Sequence, residues 1–128
     1  MKKHLKFFLL GVVCAIVIPL SAQITLVEKQ RPVARICVVG DTDVDKQAAE
    51  LLRDFVHRIS RANLPIVNHE KPRKGDVVIG ETHVEAGEDG FLLKTENDRL
   101  YIRTGGDKGS IYGVVTLLEQ YLGVSYLA

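Results

Sequence analysis
The stretch Asp76-Val77-Val78-Ile79-Gly80 constrains the fold more than any other in the chain. It is a short, unbroken apolar run, closed by a carboxylate on one side and a glycine on the other. Strands of this kind are buried on both faces, so the chain must build a sheet with cover above and below. Residues 24–27 and 33–39 share the same β-branched, apolar character and are divided by Gln30-Arg31-Pro32. Residues 66–67 begin a further short strand, and Pro72-Arg73-Lys74-Gly75 supplies a turn ahead of the central run.

Between these strands the hydrophobic pattern turns helical. Ala48, Leu51, Leu52, Phe55, Val56 and Ile59 recur at a spacing of about 3.6 residues and define one face. Arg53, Asp54, Arg58 and Arg61 fall largely outside it. Thr42 or Asp43 can cap the start of this helix, which is predicted to run to about Ala62. Asn63-Leu64-Pro65 stops it, because proline disfavours α geometry in the residue before it. After a polar loop over residues 81–90, residues 91–95 and 100–104 form a hairpin across Glu96-Asn97-Asp98-Arg99. Leu100 and Ile102 point one way there, Tyr101 and Arg103 the other. Gly105-Gly106 breaks the last strand, Asp107 can cap a second helix over residues 108–122, and Gly123 closes it. Residues 124–127 read as extended and apolar. This order predicts an α/β (α+β) sandwich, one small mixed β-sheet with two helices on one face. The opposite sheet face and the apolar end of the chain are then expected to need cover from a following domain.

The first 22 residues read as an export signal rather than as fold. Lys2, Lys3 and Lys6 precede an apolar run over residues 7–20, and Ser21-Ala22-Gln23 offers small residues for cleavage after Ala22. The run falls short of the roughly 20 apolar residues that span a bilayer. Cleavage would leave residues 23–128, exported to the periplasm or the extracellular space, with 14 basic and 16 acidic residues and a net charge of −2. A domain so nearly neutral lacks the basic stripe that nucleic acid requires, and gives no electrostatic attraction to an anionic membrane. Of the two cysteines, Cys14 lies in the signal and Cys37 in an apolar run, which reads as a buried structural thiol.

The segments that invite a chemical reading have simpler ones. Asp41-Thr42-Asp43-Val44-Asp45 resembles the start of a calcium loop, but Lys46 and Leu52 stand where the loop needs glycine and a bidentate glutamate. Acidic residues complementing a helix N-terminus explain it. Gly105, Gly106 and Gly109 between strand and helix suggest a phosphate-binding turn, yet Thr104 takes the first glycine position of a dinucleotide fingerprint. A tight structural turn, with Asp107 as cap, accounts for these residues. His57, His69 and His83 are scattered, and Glu81, Glu85, Glu88 and Asp89 form a polar loop rather than a placed carboxylate pair. The reading therefore assigns no catalytic, cofactor-binding or metal-binding residue, and names Gly105, Gly106, Asp107, Gly109 and Gly123 as structural turns and caps.

One segment carries a resemblance. Asp89-Gly90-Phe91-Leu92-Leu93, then Arg99-Leu100-Tyr101-Ile102, then Gly105-Gly106-Asp107-Lys108-Gly109-Ser110-Ile111-Tyr112-Gly113-Val114, then Leu117-Leu118-Glu119-Gln120-Tyr121-Leu122-Gly123-Val124 resembles a pattern of secreted glycosidases. It is the pattern of the N-terminal domain of family-67 α-glucuronidases and, more loosely, of the second domain of bacterial β-N-acetylhexosaminidases. The resemblance covers residues 89–124, and residues 24–88 follow it only in the order of elements. It implies a hexosaminidase-domain-2-like sandwich without catalytic residues, standing before a (β/α)8 barrel that carries the catalytic carboxylates. The implied partner is that barrel in the same polypeptide, with glycan as a further one, and the chain is expected to be cut short of it. The alternative is a free-standing module that binds a sugar or nucleotide at the Gly105–Gly109 turn. The absence of Trp weighs against a stacked sugar there.

Overall fold
The computed structural model describes residues 15–19, 23–82, 90–106 and 108–121. The central apolar run becomes β6 (Val77–Thr82), the middle of a five-stranded sheet. Beside it lie β4 (Ile36–Val38) and, at one edge, β5 (Ile66–Asn68), both parallel. On the other side β8 (Arg99–Thr104) also runs parallel to β6, and β7 (Phe91–Glu96) closes the far edge antiparallel to β8. The order β5-β4-β6-β8-β7 is a mixed sheet. A separate three-stranded antiparallel sheet is formed by β1 (Ala15–Pro19), β2 (Gln23–Glu28) and β3 (Arg31–Pro32).

The second sheet corrects the expectation of a single one. Lys29 and Gln30 both adopt positive φ, 53° and 65°, which folds β2 tightly back onto β3. Val33 and Ala34 then donate to the Leu26 carbonyl, at 3.0 and 3.2 Å, before the chain enters the main sheet at Ile36. The predicted strand over residues 33–39 is thus shorter, and Val33 is half exposed. β1 lies in the segment read as the end of an export signal. Removal of residues 1–22 would take β1 from β2.

Helix α1 (Asp43–Ser60) starts at the predicted cap. Thr42 Oγ1 accepts from the Asp45 amide at 3.1 Å, while the Asp45 carboxylate accepts from the Thr42 amide at 3.4 Å, a reciprocal capping box. The helix ends one turn before Pro65, where Arg61 turns left-handed at φ 68° and its amide bonds the His57 carbonyl at 2.7 Å. Ala48, Leu52 and Val56 are fully buried, as the spacing predicts, but Ile59 is 48% exposed. Ser60 takes the buried place in that last turn, donating to the Val56 carbonyl at 2.7 Å.

Helix α2 (Gly109–Tyr121) packs against α1, and the two together cover one face of the sheet, α1 over β4 to β6 and α2 over β7 and β8. Ile36, Val38, Val77, Ile79, Leu100 and Ile102 point from the sheet into this layer and form the core with Leu52, Val56, Val114, Leu117 and Leu118. Ile24, Leu26 and Val27 of β2 join the same cluster. Each large side chain buried there contributes roughly 1.5–3 kcal/mol. The mixed sheet with two helices on one face is therefore the fold that the sequence predicts.

The expectation of an uncovered apolar face opposite the helices is not met. Cys37, Val78 and Tyr101 line up across that face, and they are 0%, 0% and 7% exposed. Charged side chains frame them. Arg103 lies over the Tyr101 ring, 4.4 Å from its centroid, and bonds Glu81 at 2.6 Å and Glu96 at 2.8 Å. Arg35 bonds Asp76 and Glu70, each at 3.0 Å, and the Cys37 thiol donates to the Glu70 carbonyl at 3.3 Å. Burial pushes that thiol above its usual range, and the Asp76 charge adds to the effect.

Candidate functional site
Parallel strands gather their carboxyl ends on one edge of the sheet. The chain leaves β4 through α1 towards β5, whereas β6 leads the other way to β7 and β8. The crevice between β4 and β6 is thus a topological switch point, the usual ligand position in open α/β sheets. A cleft of about 370 Å3 lies there. Gly40, Asp41, Thr42 and Asp45 line it from β4 and α1, Gly80 and Thr82 from β6, and Thr104, Gly105 and Gly106 from the end of β8.

The floor of this cleft is tightly closed. Gly80 has φ +102°, and a Cβ on it would stand 2.6 Å from the Gly40 amide nitrogen. Only glycine permits that approach of two backbones. The Asp45 carboxylate, 4% exposed, accepts from the Ser110 hydroxyl as well as from the Thr42 amide. One buried carboxylate thereby ties the first turn of α1 to the first turn of α2. Thr104 Oγ1 donates to the Gly106 carbonyl at 2.5 Å and accepts from its amide at 3.2 Å, which shapes the turn into α2. The Gly105 amide bonds the Gly90 carbonyl at 3.1 Å.

Of the turn and cap residues, Gly105 and Gly106 lie in the cleft, and Gly109 is the buried first residue of α2. A Cβ on Gly109 would collide with the Gly90 carbonyl and the Thr104 side chain. Asp107 and Gly123 lie outside the described residues, as do His83, Glu85, Glu88 and Asp89 of the polar loop. Glu81 and Thr82 extend β6 instead of opening that loop, and Glu81 is engaged by Arg103. His57 is exposed on α1, and His69 sits 3.5 Å from Asp41 at the surface. Asp43 and Asp45 serve the N-terminus of α1, and among the described residues no three His, Cys, Asp or Glu side chains gather where they could hold a metal ion.

The Asp45–Ser110 pair and the Gly40–Gly80 contact were missed by sequence reasoning. The Thr42-x-x-Asp45 spacing of a capping box was a usable local signal for Asp45. Ser110 lies 65 positions further on and carried none. Among the described residues, the hydroxyl set against a carboxylate is that of Ser110 on Asp45, and it is 1% exposed, out of reach of a substrate in the cleft. Every polar group named in the floor of the cleft is bonded to a neighbour, and its acids sit where they complement a helix N-terminus.

A family model described as glycosyl hydrolase family 20, domain 2 matches residues 16–123. The chain belongs to this family. The looser of the two resemblances is therefore the one that is carried, and the match gives no support to the family-67 assignment. No curated protein matches the chain. As a family 20 domain 2 fold, the chain is an accessory domain of a glycoside hydrolase. Among the described residues no helix is long and apolar enough to cross a membrane.

Proposed function
We propose that this chain is the non-catalytic domain of an exported glycoside hydrolase, and that it docks through its helix layer onto a following (β/α)8 barrel. The observation that carries the reading is α2. Its sequence Gly109–Tyr121 is apolar on nearly every side, with Glu119 and Gln120 as its strongly polar residues. A helix hydrophobic all round belongs inside a larger protein. Gly113, Val114, Leu117 and Leu118 face the sheet, whereas Tyr112 is 43% exposed and Val115 partly so. On α1 the series Leu51, Phe55 and Ile59, four residues apart, ends in the exposed Ile59. The sheet's other face is framed by ion pairs and suits solvent.

The parent enzyme's substrate class on this reading is a β-N-acetylhexosaminide. The family-67 resemblance offers the narrower alternative of an α-glucuronide. The test assays purified chain and complete polypeptide side by side on aryl N-acetylhexosaminide and aryl glucuronide. The chain alone is expected to give no turnover above blank, and the complete polypeptide to prefer the first substrate. Turnover by the chain alone would overturn the accessory role. Preference for the glucuronide would restore the family-67 reading. The binding-module alternative is weaker, because the Asp45 carboxylate at the cleft is buried and already accepts from Ser110 and the Thr42 amide.

A further inference from the structure
We draw no further inference here: the strongest candidate, the cleft where β4, β6 and β8 end beside the N-termini of α1 and α2, carries nothing, because Asp45, Ser110 and Thr104 are already bonded to one another or to backbone and the one buried side-chain polar atom without a partner among the described residues, Arg99 Nε, lies at the opposite end of β8.

Discussion
At the scale of single residues, two backbones and one carboxylate set the geometry where the helices meet the sheet. Gly80 combines positive φ with a near contact to Gly40, and the two effects can be separated. Gly75 also has positive φ, 86°, but a Cβ there meets nothing within 4 Å. Gly75→Ala should therefore lose only the conformational term, about 1 kcal/mol. Gly80→Ala adds a collision with backbone and should cost clearly more, about 3 kcal/mol or beyond. Urea unfolding of both variants checks this, and equal losses would mean that the Gly40–Gly80 contact is slack. The sequence made the cap of α1 legible because capping is local, a matter of Thr42 and the residues just after it. It left Gly80 unreadable, because a close approach of two strand ends depends on register, which no single segment encodes.

The hairpin shows what an element adds. Asn97 and Asp98, at φ 54° and 62°, make the two-residue turn that matches strand twist, and the predicted boundaries moved inward by one residue on each side. Alternation set Leu100 and Ile102 on one side, which is the core side, yet Tyr101 on the other is buried too, beneath Arg103. Hydrogen bonding from Arg103, with its charge, holds the Glu96 carboxyl below its usual range. A carboxylate with a lowered folded pKa stabilises above its unfolded value, about 4.3, and loses that contribution as pH falls through the folded value. Glu96→Gln should thus destabilise the domain at pH 7, and the difference from the parent should vanish in more acidic solution. Chemical denaturation across pH 3–7 is the check, with a pH-independent difference as the contrary result. The N-terminal sheet was the element least legible, since apolar residues 15–19 satisfy an export signal and a strand equally well. With cleavage after Ala22, intact mass of the exported protein should lack residues 1–22, leaving β2 paired with β3 alone. A full-length mass would keep β1 in place.

The whole molecule is a layered domain whose two outer faces differ in character. Across the sheet, Arg35, Asp76, Glu70, Arg103, Glu81 and Glu96 pair among themselves around a buried apolar line. Across the helices, Ile59 and Tyr112 stand exposed beside partly buried Leu51, Phe55 and Ile111. Fold class was readable from the sequence because strand and helix periods are local signals. The burial of Tyr101 on the opposite face was not, because Arg103 folding across its ring cannot be foreseen from alternation. The helix layer is the proposed docking side. The direct measurement is calorimetric binding of the chain to its separately produced catalytic domain, with substitutions on either face. The double variant Ile59→Lys, Tyr112→Lys should weaken association about tenfold or more, the loss of about 1.4 kcal/mol expected of buried interface anchors. Arg103→Ala with Glu81→Ala, on the sheet side, should leave it unchanged. Association that survives the helix substitutions and fails with the sheet ones would contradict the account.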